Sequence, residues 1–240
     1  MGSFGQEVLE IARGIVDLLL PPCCAGCGKG IPAGVLCEAC AALVEPVASP
    51  RCPVCALPFD GAGIDHVCGR CVRSPPAFAS ATAAFRYEGP IADGLRALKY
   101  GPRPERIAGL AALWREVAVV PEADLAVPVP LHPRRLRQRG FNQSVLLARP
   151  LLRASRLRLD TSSLRRVVDG PPQASLQGAE RTRAMARAFV VPERQKASIA
   201  ERTILLVDDV MTTGATAGAC ARALLGAGAA EIHVAVLARA

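Results

Sequence analysis

Four Cys-x2-Cys pairs constrain this chain more than any other feature, because nine of its ten cysteines lie between residues 23 and 71. The pairs are Cys24/Cys27, Cys37/Cys40, Cys52/Cys55 and Cys68/Cys71. Each Cys-x2-Cys turn presents two thiolates to one ion, and two turns complete the tetrahedral shell of a Zn²⁺ ion. The sequence therefore predicts two structural zinc sites, with the pairs combined either sequentially or in a crossed order.

A disulfide framework is the alternative for so many cysteines. It requires an oxidising compartment, and no positively charged start with an unbroken apolar stretch indicates secretion. We therefore expect a cytoplasmic protein whose thiols bind zinc. Cys23 adds a thiol that can exchange roles with Cys24, whereas Cys220 is expected to be a small core residue.

Composition divides the chain near Ser74-Pro75-Pro76, since residues 72–219 contain no cysteine. We expect an amphipathic helix over residues 1–22, a cysteine-rich zinc module over 23–74 and a larger domain over 75–240. A hydrophobic fraction of 51% with 21% charged residues excludes a disordered chain. No apolar run approaches the ~20 residues that cross a bilayer, so we do not expect a membrane-spanning protein.

Strand-like and helix-like stretches alternate after residue 78. We expect strands at 80–87, 125–129, 203–207 and 232–237, and helices at 91–99, 107–117, 142–153 and 215–225. Strands separated by helices indicate a mainly parallel sheet that is covered on both faces, which is an α/β fold. The turn-rich segment 169–177 is predicted to be a mobile loop.

The segment ILLVDDVMTTGATAGACARALLGAGA at 204–229 carries the clearest functional signal. An apolar strand leads into Asp208 and Asp209, and a loop of threonine and glycine then leads into a helix. The backbone N–H groups of such a loop and of a helix N-terminus bind anions. Two carboxylates beside an anion site suit sugar hydroxyls or a metal ion. We therefore predict a ligand that carries both a phosphate and a ribose.

The sequence VDDVMTTGAT resembles the phosphoribosyl-pyrophosphate (PRPP) loop of type I phosphoribosyltransferases. The whole chain resembles the ComF/GntX family, in which a cysteine-rich zinc module precedes a phosphoribosyltransferase domain. The supporting segments follow the family order: the cysteine pairs, Leu98-Lys99-Tyr100, VPVPLH at 127–132, RGFNQS at 139–144, Gln173, Arg181, Phe189 and the loop. The resemblance implies a type I phosphoribosyltransferase fold, a mainly parallel sheet with helices on both faces, after a small module similar to a double zinc ribbon.

The resemblance also implies a PRPP site with three parts. Two carboxylates would hold the ribose hydroxyls, a loop would cup the 5′-phosphate, and arginine-bearing loops would face the pyrophosphate with its Mg²⁺. The implied residues are Asp208 and Asp209 for the ribose, Thr212, Thr213, Gly214, Ala215 and Thr216 for the phosphate, and Arg139, Gly140, Arg165, Arg166 and Arg181 for the pyrophosphate and the mobile segment. Thr212 stands where purine-salvage members carry an acid, so a purine acceptor is not expected.

Arginines are concentrated between residues 134 and 166, where ten of them and the single acid Asp160 give a charge of +9. The candidates for nucleic-acid contact are Arg134, Arg135, Arg137, Arg149, Arg153 and Arg156, of which the last three recur at helical spacing. Such a stripe can follow a phosphate backbone. A surface that serves only the diphosphate and folding, or a protein partner, is the alternative interpretation of the pattern.

Two functions follow from the resemblance. One is a Mg²⁺-dependent enzyme that transfers a phosphoribosyl group from PRPP to an acceptor. The other is a non-catalytic adaptor, regulated by PRPP, that binds single-stranded DNA and other competence proteins during DNA uptake. The sequence leaves the acceptor and the occurrence of turnover open.

Overall fold

The structure is a computed structural model, and it describes residues 22–98, 101, 104–169 and 187–240. The helix expected over residues 1–22 lies outside this part of the chain except for its last residue. Most of the loop expected at 169–177 lies outside it as well. The same holds for four family positions, namely Lys99, Tyr100, Gln173 and Arg181.

The described residues form seven helices and seven strands. The helices are α1 (Glu38–Ala41), α2 (Gly69–Arg73), α3 (Gly89–Ala97), α4 (Pro104–Val117), α5 (Pro133–Arg139), α6 (Gln143–Leu151) and α7 (Ala215–Leu225). The strands are β1 (Ser80–Arg86), β2 (Leu125–Pro128), β3 (Arg158–Leu159), β4 (Arg165–Arg166), β5 (Phe189–Val190), β6 (Thr203–Met211) and β7 (Glu231–Arg239). Short 3₁₀ turns cover Leu152–Ala154 and Glu193–Ser198.

Five strands form one sheet in the order β1-β7-β6-β2-β3, and each neighbouring pair is parallel. The central strands β6 and β7 are the longest, and their register pairs Leu205 with His233 and Asp208 with Val236. Strands β4 and β5 form a separate antiparallel pair. The parallel sheet confirms the α/β prediction, because alternating helices supply the crossovers that parallel strands need.

The two faces of the sheet are covered by different helices, since successive strand residues point to opposite faces. Ile204 and Leu206 belong to an apolar cluster that contains α7 and the cysteines of the second pair of Cys-x2-Cys turns. Leu205 and Val207 belong to a second cluster that contains α3, α4 and α6. Helices cover both faces of the sheet, as the sequence indicated. The end of the sheet that the carboxyl ends of the parallel strands form, called the carboxyl edge below, is open.

Two local predictions differ from the structure. Strand β6 continues through Asp208 and Asp209 to Met211, because β7 pairs with it along this whole length. Helix α6 ends at Leu151, with Pro150 in its last turn. Arg149 lies on α6 and Arg153 on the 3₁₀ turn that follows it, whereas Arg156 lies beyond both, so the helical stripe predicted from the spacing does not extend to Arg156.

Helix α5 was missed in the sequence, although two signals mark it. Pro133 occupies its first turn, and the ring of His132 accepts a hydrogen bond from the backbone N–H of Arg134. Gly140 ends the helix with φ of 76°, a conformation that glycine adopts without strain. Proline at the start and glycine after the end are typical of a helix. The helix brings Arg134, Arg135, Arg137 and Arg139 onto one short element.

The segment with the first two cysteine pairs packs directly against α3 and α4. A Cβ atom added at Gly94 would lie 2.5 Å from the backbone oxygen of Ala25, and one at Gly109 would lie 2.8 Å from the Ala25 Cβ. Arg106 also donates hydrogen bonds to the backbone oxygens of Ala25 and Gly26. Glycines at these helix positions therefore let the module approach the helix backbones closely.

Candidate functional site

The eight paired cysteines form two clusters of four. Cys24, Cys27, Cys37 and Cys40 form the first, and Cys52, Cys55, Cys68 and Cys71 form the second; within each, the sulfur atoms lie within 4.8 Å of one another. A tetrahedral zinc ion with ~2.3 Å bonds to sulfur separates its ligand atoms by ~3.8 Å. The sulfur atoms of Cys27 and Cys37 lie 3.9 Å apart and those of Cys55 and Cys68 lie 3.7 Å apart, which fits this geometry. Pairing is therefore sequential, and the thiols are free of disulfides.

Crowding makes the thiols of each cluster titrate unequally. Burial raises the pKa of Cys40 to about 12. Burial also disfavours the Cys24 thiolate, but hydrogen bonds from neighbouring backbone N–H groups outweigh it and lower the pKa of Cys24 to about 6. In the second cluster the same opposition lowers the pKa of Cys68 to about 7, whereas burial and the neighbouring thiols raise the pKa of Cys71. Zinc must displace the protons that remain, so its binding depends on pH.

A cavity of about 280 Å³ opens at the carboxyl edge of the sheet. It brings together the two acids of β6, two loop threonines and three arginines. The residues concerned are Asp208, Asp209, Thr212, Thr216, Arg135, Arg139 and Arg166, with Tyr87, Gln143 and Ser144 also in the wall. Open parallel sheets bind ligands at this edge, so the sequence-predicted residues converge where a ligand is expected.

Asp208 is the most perturbed acid of the site. Burial and the neighbouring charge of Asp209 raise the pKa of Asp208 well above its ordinary value. Its Oδ1 accepts hydrogen bonds from the Ser144 hydroxyl and from the Asp209 backbone N–H, both at 2.9 Å. Two carboxylates held this closely suit a cation or a pair of sugar hydroxyls that relieves their repulsion. Ser144 therefore belongs to the site, although the sequence marks it only as part of the RGFNQS segment.

Positive charge faces the two acids from α5 and from β4. Arg139 donates from its Nη1 to the Gln143 Oε1 at 3.1 Å, which fixes its head at the cavity wall. The Arg166 guanidinium lies 5.5 Å from the Phe189 ring centre, and burial together with Arg135 lowers its pKa. Arg135 itself lies 3.7 Å from Asp169. The sequence assigned Arg135 to nucleic acid, but the structure puts it in the same cavity.

The loop after β6 leads into helix α7. Gly214 precedes the helix with φ of 76°, and the backbone N–H of Ala215 donates to the Thr213 hydroxyl at 3.3 Å. A cleft of about 40 Å³ is lined by the whole segment from Met211 to Ala217 together with Asp208. This turn and the helix N-terminus have the form of an anion site.

Two arginines from outside the loop hold its backbone oxygens. Arg239, at the end of β7, is 2% exposed, and its Nη1 donates to the oxygens of Met211 and Thr212 at 3.1 and 2.6 Å. Its Nε donates to the Cys55 oxygen at 2.9 Å. Arg70, inside the fourth Cys-x2-Cys turn, donates to the Thr213 oxygen at 2.9 Å. Sequence reasoning missed both residues, and no local pattern marks them.

Other predicted residues are placed elsewhere. Arg165 and Gly140 line a neighbouring cavity of about 790 Å³, which shares Pro130, Leu131 and Arg166 with the first. Arg181 lies outside the described residues. Exposed side chains are found at the candidate nucleic-acid positions Arg134, Arg137, Arg149, Arg153 and Arg156. Their contact with nucleic acid stays a prediction.

Comparison with known proteins agrees with this geometry. Residues 15–72 match the family described as double zinc ribbon domain, and residues 143–240 match the phosphoribosyl transferase domain. The DNA utilization protein YhgH of Salmonella typhi is 34% identical over 211 residues, which cover 85% of this chain and 90% of that protein. Competence protein F of Haemophilus influenzae is 27% identical over 95% of each chain. The chain belongs to the ComF family.

ComF membership confirms the predicted order of a double zinc ribbon followed by a phosphoribosyltransferase domain. Among solved structures, the allosteric regulatory enzyme of purine biosynthesis is 21% identical over 53% of this chain and 24% of its own, with a TM-score of 0.36. In the described part of this ComF protein, no helix has both the length and the apolar character that a membrane crossing requires.

Proposed function

We propose that this ComF protein binds PRPP with Mg²⁺ at the carboxyl edge of the sheet and transfers its phosphoribosyl group to an acceptor. The observation that carries the proposal is the cavity of about 280 Å³ in which two carboxylates, loop threonines and three arginines meet. PRPP needs these three kinds of partner, because it carries a ribose diol, a 5′-phosphate and a diphosphate. We place this activity in the cytoplasm, as part of the handling of DNA during uptake, in line with the names of the relatives.

The residues of the cavity have separate roles in this reaction. Asp208 and Asp209 accept hydrogen bonds from the ribose hydroxyls, and the segment 212–216 binds the 5′-phosphate through backbone N–H groups and hydroxyls. Arg139 and Arg166 face the diphosphate and stabilise the negative charge that it gains as it leaves. Mg²⁺ neutralises part of the same charge when it is bound. The anomeric carbon becomes cationic as the bond to the diphosphate breaks, and the acceptor attacks it.

A double substitution tests the site. Asp208→Asn with Asp209→Asn removes both charges and keeps the side-chain shapes, so PRPP affinity measured by calorimetry should fall below detection while zinc content stays unchanged. The matched control is Asp93→Asn, which neutralises an exposed acid on α3. Undiminished PRPP affinity in the double variant would show that the site assignment is wrong.

Turnover requires its own measurement. PRPP and Mg²⁺ are added with and without a single-stranded oligonucleotide, and release of pyrophosphate is followed. Release above the level of the double variant supports a transferase, and release that depends on the oligonucleotide supports a reaction on nucleic acid or gated by it. Tight binding without release favours an adaptor that binds PRPP and whose acceptor has been lost or is absent from the mixture.

A second candidate function, binding of single-stranded DNA, rests on the neighbouring cavity of about 790 Å³. Its wall combines Phe141 with Arg149 and Arg165. An aromatic ring can stack on a base while arginines meet the backbone phosphates. Affinity should then fall steeply with salt, because counterions are released on binding. Arg149→Ala should reduce the slope of log affinity against log salt concentration by about one unit, whereas replacing the exposed Arg194 with alanine should not. An affinity that does not change with salt concentration would contradict this function.

A further inference from the structure

Three consecutive backbone oxygens, at the end of β6 and in the loop that follows it, accept hydrogen bonds from arginine side chains. Arg239 holds the oxygens of Met211 and Thr212, and Arg70 holds the oxygen of Thr213. The two donors are far from the loop in sequence: Arg239 comes from the last strand and Arg70 from the second zinc ribbon. All three hydrogen bonds come from charged donors, which makes them stronger than bonds between neutral groups.

Because the peptide bond is planar, the direction of each carbonyl oxygen also fixes the direction of the N–H group that follows it. In a trans peptide the C=O of one residue and the N–H of the next point in opposite directions. Oxygens of Met211, Thr212 and Thr213 that face the arginines therefore send the N–H groups of Thr212, Thr213 and Gly214 to the other side. Successive N–H groups on one side of a turn form an anion-binding concavity.

The cavities on the two sides of the loop differ in charge accordingly. Arg70, Arg222 and Arg239 line a cavity of about 370 Å³ between the second ribbon and the loop, and none of the described residues in its wall is an acid. Asp208 and Asp209 line the cavity of about 280 Å³ at the carboxyl edge. The arginines are thus on the oxygen side of the loop, away from the acids to which the ribose is assigned.

The second zinc cluster holds both arginines in place. Arg70 lies between Cys68 and Cys71 in one metal-binding turn, and the Arg239 Nε donates to the backbone oxygen of Cys55. Closure of this cluster around zinc therefore fixes the backbone that carries Arg70 and the acceptor that orients Arg239.

We propose that Arg70 and Arg239 are positioning residues for phosphate binding, and that the second zinc ribbon acts through them as the backing of the phosphate loop. The inference rests on the proposed function, because it concerns the 5′-phosphate part of the PRPP site. The arginines do not contact the phosphate; they hold the loop in the conformation whose N–H groups converge on it. The loop is then already ordered before the phosphate binds, so ordering it does not reduce the binding free energy.

The test compares Arg70→Ala with Arg73→Ala, an exposed arginine on the same helix α2 for which the structure shows no bond to the loop. Calorimetry is done with PRPP and Mg²⁺ and with ribose 5-phosphate, which carries the phosphate without the diphosphate. We expect Arg70→Ala to weaken both affinities about tenfold, equal to about 1.4 kcal/mol. Arg73→Ala should leave both unchanged, and zinc content and unfolding temperature should be the same in the two variants.

Conservative variants distinguish positioning from a structural role. Arg70→Lys should recover most of the affinity, since one ammonium donor can reach one oxygen. Arg239→Lys should weaken binding more, by about 30-fold, because an ammonium cannot hold oxygens on both the loop and Cys55 as the guanidinium fork does. Amide signals of Thr212, Thr213 and Gly214 should shift on ribose 5-phosphate binding in the wild type and shift less in Arg70→Ala.

The outcomes separate the two proposals. A wild-type protein with no affinity for PRPP or ribose 5-phosphate overturns the proposed function, and this inference with it. Normal wild-type binding that is equal in Arg70→Ala and Arg73→Ala overturns the inference alone. Equal loss in both arginine variants also overturns it, because that result indicates a general effect of charge.

Discussion

Replacing Asp208 with asparagine should stabilise the ligand-free protein while weakening PRPP binding. Asparagine keeps the oxygen that accepts the bonds from Ser144 and from the Asp209 N–H, both at 2.9 Å. What it removes is a half-buried negative charge beside Asp209. We expect a gain of about 1–2 kcal/mol in the free energy of unfolding, as is common when a strained functional group is relieved. At roughly 2–4 °C per kcal/mol for a chain of this size, the unfolding temperature should rise by about 2–8 °C.

The pH dependence of this gain is specific to the mechanism. Because the pKa of Asp208 is raised in the folded protein, the folded state holds a proton that the unfolded state releases above pH ~4. Wild-type stability therefore falls as pH rises from the unfolded pKa towards the folded one, whereas the variant has no such proton to lose. The difference in the free energy of unfolding between Asp208→Asn and the wild type should be small near pH 4 and grow with rising pH.

Thermal unfolding at several pH values, followed by circular dichroism, measures this difference. Asp93→Asn, on the exposed face of α3, serves as the control and should change stability little. The reasoning is refuted if Asp208→Asn destabilises the protein throughout, or if its gain is the same at every pH. PRPP affinity should fall at least tenfold or so, since a neutral amide accepts hydrogen bonds less strongly than a carboxylate.

Further predictions concern the zinc ribbons and the loop. Cys71→Ser should reduce bound zinc, measured by atomic absorption, from two ions to one per chain; retention of both would contradict the role of Cys71 as a zinc ligand. Gly94→Ala should destabilise the protein by about 1–3 kcal/mol through overpacking, since its Cβ would lie 2.5 Å from a ribbon oxygen. Measured by urea unfolding, Gly30→Ala should reduce the free energy of unfolding less than Gly94→Ala does, because no described atom lies within 4 Å of the added Cβ. Gly214→Ala should weaken ribose 5-phosphate binding, because φ of 76° disfavours alanine; unchanged affinity would contradict the role of this turn.

Much of the fold could be predicted because its signals are local. Apolar stretches and helix periodicity identified the central strands and helix α7, and the last of these has the predicted bounds of 215 and 225. The ends of strands were harder to predict, since pairing decides where a strand stops. Strand β6 continues through Asp208 and Asp209 because β7 offers partners up to Arg239. Helix α5 shows that proline and glycine signals matter even in a segment dominated by arginine.

The sequence by itself determined the zinc ligands and the order of acids, threonines and glycine in the phosphate loop. These features are local, since a Cys-x2-Cys turn or a strand–loop–helix junction is built from neighbouring residues. The tertiary structure alone decided that Arg135 joins the ligand cavity and that Arg70 and Arg239 meet behind the loop. Arg70 and Thr213 are separated by 143 positions. Contacts of this kind form only when the ribbon packs onto the sheet, so no local sequence pattern predicts them.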